Sequence, residues 1–466
     1  MNARMSDSEA IMWAVEKDPA LRSDFCNLTL LDSAPDPERL WIKIADAITG
    51  IPRLGQRVVS APLRIVPPEW VDDPDLDIHY HVRRLAAPDP GGLRELLDLC
   101  AQLAESPFDR SRPLWEFTVI DGLEGGRTAM LQKMHHTITD GVGGLKLSLA
   151  LVDFEPDPQP AAMATGDDDA VGGANDTEPA ARHSPIDVLR GALGDAVGRR
   201  LSTTRSIAVG AGHVVTHPTE APASALGALR MAGSLRRQLL VTEPARSTVL
   251  TGRSLRKHIE VFTVDMPAAR AAAQRLGGTL NDVFVTGVAG ALGRYEEKMG
   301  GTAGEMRMAM PVSTRQRGEK AANSFVPTRI LVPTNPADPR ERFATIADRL
   351  RTTRSEPAVR AADLLAGLAS GLPTSMLVAA THSQTRTIDF ATSNLRGSPV
   401  PLFLAGARIV ANYPVGPRTG CALNVTLLSY CDELQMGLNI DPAAVTDIPL
   451  LMTCLDESFA ELLDLA

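Results

Sequence analysis

His135-His136-Thr137-Ile138-Thr139-Asp140-Gly141 sets two imidazoles, a carboxylate and a glycine within one short stretch. The run before it, Arg127–Met134 (R-T-A-M-L-Q-K-M), alternates apolar and polar residues at its C-terminal end as a half-buried strand does, and Gly141 opens an apolar stretch of helical length. The two histidines therefore stand where a strand gives way to a turn, a junction typical of an α/β chain. Successive strand side chains point to opposite faces, so His135 and His136 are expected to diverge, one towards packing and the other towards a cleft. That divergence argues against a shared metal ion, because helical ligand pairs come four residues apart. A neutral imidazole, with an unperturbed pKa of about 6.5, suits proton abstraction near neutrality. His136 reads as a base.

A chain of 466 residues exceeds what one hydrophobic core organises, and 44% hydrophobic content is enough for two. Of the net charge of -9, most sits in residues 154–185, where seven carboxylates face one arginine. No concentrated basic patch of the kind that binds nucleic acid is left elsewhere, so no nucleic-acid partner is expected. The five cysteines, Cys26, Cys100, Cys421, Cys431 and Cys454, form no C-x-x-C pair and are odd in number, which argues against a disulfide framework. A reduced cytoplasm is the expected compartment. The N-terminus shows no basic segment leading into an apolar core, so no secretory signal is expected. Leu364–Thr381 is free of charge, but Pro373 and several hydroxyl residues interrupt it; a buried helix pair or the wall of a lipid tunnel is expected there rather than a membrane span.

Residues 1–153 read as a first α/β domain. Leu93–Leu103 has helical periodicity, Leu114–Ile120 and Arg127–His136 read as strands, and Asp121–Gly126 is the turn between them. From 154 to 185 the composition shifts to Pro, Ala, Gly and Asp, too poor in large apolar groups to offset ordering entropy, and a disordered acidic linker is expected. The next stretch, 186–245, carries apolar residues at helical spacing; within 186–240, seven arginines face three carboxylates. Such a basic amphipathic segment suits an anionic membrane surface and equally a helical crossover between domains with solvated arginines. Residues 246–466 read as a second α/β domain. It has a strand at His258–Val264, a helix from Pro267 to Gly277 and a second helix from near Asn281 with Gly287, Gly290 and Gly293 on a thin face. Extended segments follow at Met306–Val312, Val326–Val332, Thr387–Ser393 and Pro401–Val410, then a hairpin at Leu423–Ile440 and an amphipathic helix at Leu450–Leu465. His79 and His81 share a strand face in D-I-H-Y-H without a third ligand nearby, so no metal is expected.

The motif resembles the H-H-x-x-x-D-G signature of the wax ester synthase/acyl-CoA:diacylglycerol acyltransferase family, and all its fixed positions match. The same signature marks the wider superfamily of chloramphenicol-acetyltransferase-like folds, including plant BAHD acyltransferases and peptide-synthetase condensation domains. Pro113-Leu114-Trp115, Asn281-Asp282 and Pro311-Val312-Ser313-Thr314-Arg315 resemble further landmarks of the narrower family, from about Ser6 to the C-terminus. Two positions depart from it: Arg396 in Ser393-Asn394-Leu395-Arg396-Gly397 replaces the usual proline, and Glu9 the usual aspartate. The resemblance implies two chloramphenicol-acetyltransferase-like domains with an interdomain active-site channel. It also implies transfer of a fatty acyl group from acyl-CoA, as co-substrate and without a resident cofactor, to diacylglycerol or to a long-chain alcohol. The expected setting is the cytoplasmic face of a membrane or a lipid body, reached peripherally.

Acyl transfer from a thioester to an alcohol needs one group that takes the hydroxyl proton and returns it to the thiolate, and one histidine does both. No G-x-S-x-G occurs, which argues against an esterase elbow. A catalytically silent lipid-binding relative is the non-enzymatic alternative. The resemblance places the base on His136, with His135 as a packed support. Asp140 becomes mainly a structural anchor held by an arginine elsewhere, or else an orienter of the imidazole, and Gly141 permits the turn. Asn281 is either a helix cap or a contact to substrate or the developing oxyanion. Candidate substrate contacts are Asp282, which equally suits holding the turn at the helix start, Arg315, which suits a coenzyme A phosphate or a surface ion pair, and Trp115, which suits the core as well.

Overall fold

The computed structural model describes residues 4–61, 67–138, 147, 150–158, 243–302, 304–313, 325–334, 338–354 and 373–465. The linker from 159 onwards, the basic stretch 186–240 and residues 364–372 of the uncharged segment lie outside the described residues.

The first half supplies β1 (Asp24–Leu31), a β2 (Gln56–Val59)/β3 (Glu69–Asp72) pair, β4 (Val82–Ala86), β5 (Trp115–Asp121) and β6 (Thr128–His135). Its helices are α1 (Asp7–Val15), α2 (Pro37–Gly50), the single turn α3 (Ile78–His81) and α4 (Leu93–Glu105). On α4, Leu96, Leu97, Cys100, Ala101 and Ala104 are buried at helical spacing against Cys26, Leu28 and Leu131 of the sheet. The second half supplies β7 (His258–Asp265), β8 (Glu305–Ser313), β9 (Phe325–Pro333), β10 (Phe390–Arg396), β11 (Phe403–Leu404), β12 (Ala407–Val415), β13 (Leu423–Tyr430) and β14 (Glu433–Ile440). They alternate with α5 (Met266–Arg275), α6 (Leu280–Lys298), α7 (Pro339–Arg354), α8 (Thr374–Thr385) and α9 (Ile448–Asp464). Most of the expected elements stand where the periodicity put them. His79 and His81, however, lie in the turn of α3 rather than on a strand, because Asp77 caps that turn by accepting the His79 N–H at 2.9 Å.

Two six-stranded sheets result, in the orders β11-β12-β1-β6-β5-β4 and β7-β14-β13-β10-β8-β9. The division at residue 246 is therefore not the division in space. The expected single strand Pro401–Val410 is a tight hairpin, β11 and β12, turned by Ala405 and Gly406 at φ 47° and 91°. β12 then runs antiparallel to β1, with Cys26 opposite Val415 and Leu30 opposite Ala411, so part of the second half completes the first sheet. From this position β12 packs closely on β14, where a Cβ on Gly437 would stand 2.2 Å from the Pro414 carbonyl oxygen. Arg94 on α4 adds a second link, donating to the Ile259 carbonyl at 3.0 Å and to Glu260 at 2.6 Å.

The second core gathers around α6, whose Val283, Phe284, Val285, Val288 and Leu292 are buried. Its thin glycine face lets neighbours approach: a Cβ on Gly287 would meet the Phe459 ring at 2.5 Å, and one on Gly293 the Thr334 carbonyl oxygen at 1.7 Å. All five cysteines are free thiols. Among the described residues no helix is long and apolar enough to cross a membrane.

Candidate active site

β1 and β6 run antiparallel with Asp24 opposite His135, Phe25 opposite Met134 and Asn27 opposite Gln132. Paired residues share a face, which places Asp24, Lys133 and His135 on the α4 side and Phe25, Asn27 and Gln132 on the other. The strand ends at His135. Its N–H donates to the Leu114 carbonyl at 3.1 Å, and the next N–H, that of His136, donates to Ser23 at 3.1 Å. The Ile138 N–H then closes a turn onto the His135 carbonyl at 3.0 Å.

His135 is fully buried and held at both ring nitrogens. The Thr137 N–H donates to Nδ1 at 3.1 Å, so Nδ1 is the unprotonated nitrogen and Nε2–H donates to the Glu16 carboxylate. Glu16, just past α1, also accepts the Ser23 N–H at 2.8 Å, which fastens the helix end to the strand. Asp24 lies beside this pair. Burial works to raise its pKa, but Lys257, whose Nζ is 3.2 Å away, and Lys133 outweigh it, and the carboxyl stays below its ordinary range. The Lys257 ammonium also donates to the Ala104 carbonyl at 2.6 Å, so a residue of the second half stabilises the floor under the motif.

His136 takes the opposite direction. Its ring tilts against Phe25 with centroids 4.8 Å apart, on the face away from α4. Burial first, and the neighbouring His135 second, push its pKa down to about 4, so the imidazole is neutral at physiological pH. A neutral ring, with one unprotonated nitrogen, is what proton acceptance requires. The motif backbone is clamped from a third side: Arg53 Nη1 donates to the Thr137 carbonyl at 2.6 Å and to Glu9 Oε1 at 2.6 Å, and its guanidinium lies 4.9 Å from the Trp70 ring centre. Glu9 reciprocally caps α1 with Ser6. Glu9 is thus a carboxylate that positions an arginine on the motif.

Asp140, Gly141 and Arg315 lie outside the described residues. Asn281 occupies the first turn of α6, but it is not the cap: Thr279 is, in a reciprocal box with Asp282, which accepts the Thr279 N–H and hydroxyl, both at 2.8 Å. Asp282 thereby holds the turn at the helix start. The Asn281 carbonyl accepts from Asn394 on β10 at 3.0 Å, while its buried Nδ2 has no partner among the described residues. Trp115 belongs to the core. Its indole is wholly buried, donates to the Leu54 carbonyl at 2.8 Å and stacks on His81 at 4.5 Å, so it is core. Among the described residues no cluster of three metal-ligating side chains occurs.

The wax ester synthase/diacylglycerol acyltransferase catalytic-domain profile matches residues 5–284, and the profile of that family's C-terminal domain matches residues 322–463. The chain belongs to this family. A Mycobacterium tuberculosis protein provisionally named diacylglycerol O-acyltransferase is 34% identical over 469 aligned residues, covering 99% of this chain and 93% of that one. A second from the same organism, of the same provisional name, is 29% identical, covering 99% and 90%. The solved wax ester synthase/diacylglycerol acyltransferase from Marinobacter aquaeolei VT8 superposes with a TM-score of 0.63 at 22% identity, covering 99% of this chain and 98% of that one. The first condensation domain of the calcium-dependent antibiotic synthetase gives 0.62 at 15% identity, covering 99% and 96%. The fold is accordingly a pair of chloramphenicol-acetyltransferase-like domains. The sequence reading missed Glu16, Arg53, Thr137 and Lys257 as supports of the motif. Glu16 and His135 are 119 residues apart, and no local spacing announces such a pair.

Proposed function

We propose that the chain transfers a fatty acyl group from acyl-CoA to a lipid hydroxyl, with diacylglycerol as the first-ranked acceptor and a long-chain alcohol as the second. The observation that carries the reading is the contrast within the histidine pair: His135 is locked against Glu16 and Thr137, whereas His136 is turned to the other face with its ring held neutral. In the reaction His136 takes the proton of the acceptor hydroxyl as that oxygen attacks the thioester carbonyl carbon. The C–O bond forms, the C–S bond breaks, and the proton passes to the departing thiolate. The unpartnered Nδ2 of Asn281 supports a role as donor to the developing oxyanion, with Asn394 fixing the orientation of the amide. Arg315 is proposed for the coenzyme A phosphates, and the enzyme is proposed to work at the cytoplasmic face of a membrane or lipid body.

The test is an assay of the purified chain with labelled acyl-CoA, offering diacylglycerol and hexadecanol separately and together. Labelled triacylglycerol or wax ester is the expected product. Absence of both, with the folded protein in hand, favours the silent lipid-binding alternative.

A further inference from the structure

The face of β1 that carries Phe25 beside His136 carries Asn27 and Thr29 further along. One strand repeat, about 7 Å, separates Phe25 from Asn27. There the sheet floors a cavity of about 240 Å³. Its floor is a polar row across three strands, Gln132 on β6, Asn27 and Thr29 on β1, and Asn412 on β12. Its walls are apolar, with Leu404, Ile409 and Leu428, and the mouth is formed by Phe154 and Pro399. Phe154 is 68% exposed, and nearby Val400 is exposed as well.

Two amides on this floor are under-used. The Asn412 side-chain oxygen accepts from Asn27 Nδ2 at 2.6 Å and from Thr29 Oγ1 at 3.1 Å, while its own NH₂ has no partner among the described residues. Gln132 is only 3% exposed, and its buried Oε1 has no hydrogen-bond partner among the described residues. As placed, the Gln132 and Asn412 side chains each have an NH₂ group to donate. The NH₂ groups of both side chains thus stay open to the acceptors of a ligand. Donors on the floor of an apolar cavity read carbonyl oxygens embedded in hydrocarbon. A fatty acyl chain or a simple alkanol has no such oxygen beyond the reacting end. The pantetheine arm of coenzyme A has amides, but it leads to phosphates, and no residue lining the cavity carries a charge.

We propose that this cavity receives the ester-bearing portion of the acceptor, with Gln132 and Asn412 donating to ester carbonyl oxygens. The enzyme thereby selects acylglycerols over alkanols. The proposal rests on the acyltransferase reading above. Its test compares kcat/KM of the purified full chain for a 1,2-diacylglycerol and for the matching 1,2-dialkylglycerol ether, which keeps the hydroxyl and the chains but lacks the carbonyls. The wild type is expected to prefer the ester about tenfold, the worth of one or two ordinary hydrogen bonds, and Gln132→Leu and Asn412→Leu to bring that ratio close to one. A wild-type ratio near one overturns the proposal, as does a ratio unchanged in both variants. So does a rise in the KM for acyl-CoA without a change in ratio, which would assign the amides to the pantetheine arm. The wild-type comparison decides even if a variant fails to fold. Calorimetric binding of dioctanoylglycerol against its dioctyl ether gives the same discrimination without turnover, so a protein that transfers nothing yet binds the ester selectively would sink the acyltransferase reading and keep the cavity assignment.

Discussion

His135 and His136 are neighbours in sequence with opposite surroundings, and their substitutions separate accordingly. His136→Ala removes an acceptor of protons from a partly buried position and is expected to lower kcat by about 10² to 10⁴ while shifting Tm little, measured by acyl transfer and by calorimetry. His135→Ala leaves Glu16 without its imidazole partner in a buried setting, so the larger Tm loss is expected there. A His136→Ala protein with wild-type turnover would remove it as the base. The pH dependence follows from the same site. His136 acts when neutral, and its pKa is pushed down to about 4, so kcat/KM is expected to stay level from neutrality through pH 6 and to fall only towards 4. An acid limb centred at 6.5, the value of an unperturbed histidine, would contradict the burial described here. The fold weakens over the same interval, because an unfolded chain takes up a proton at His136 near 6.5 while the folded chain resists it down to about 4. Circular dichroism at each pH separates the two effects.

At the scale of one element, α6 carries both the core of the second half and Asn281, and its packing depends on absent side chains. Gly293→Ala would drive a methyl to 1.7 Å from a backbone carbonyl, which no side-chain rotation relieves, and overpacking of this kind costs roughly 1–3 kcal/mol or more. Gly50, at the end of α2, meets nothing within 4 Å, so Gly50→Ala is the control and should leave Tm unchanged or slightly raised. Thermal denaturation of the two variants side by side checks the ranking. The helix itself, its start near Asn281 and the packing role of its glycine face were legible in the sequence, because helical period is local. The identity of the cap was less so: Thr279 and Asn281 are both good caps, and only the φ/ψ at Thr279 and the return bond from Asp282 decide between them. The meeting of Asn27, Thr29 and Gln132 with Asn412 was not legible, since it depends on which distant strand lies beside β1.

That distant pairing governs the whole molecule. The charge of the stretch 186–240 still argues for docking on an anionic bilayer. Vesicle binding is expected to need anionic lipid, to fall partly at high salt, and to weaken when Arg199, Arg200, Arg236 and Arg237 become glutamine. Unchanged affinity in that quadruple variant would discard the surface. The two halves are bound by strand exchange, with the Lys257–Asp24 and Arg94–Glu260 ion pairs beside it. β12 lies between β11 and β1, Asn412 N–H donates to Gln435 at 2.6 Å across to β14, and Lys257 reaches Asp24 beneath the histidines. A fragment of residues 1–245 therefore lacks two strands of its own sheet and exposes the edge of β1. Expressed alone, it is expected to aggregate or to bind hydrophobic dye strongly, and fragment 246–466 to leave β12 without a sheet to join. Expressed together, they should assemble into a soluble complex, because β12 finds β1 whether or not the intervening chain is intact. A soluble, well-ordered 1–245 fragment, judged by near-ultraviolet circular dichroism, would show that the first sheet closes without β12. The exchange would then be an ornament of the fold and not the joint that holds the motif over its floor.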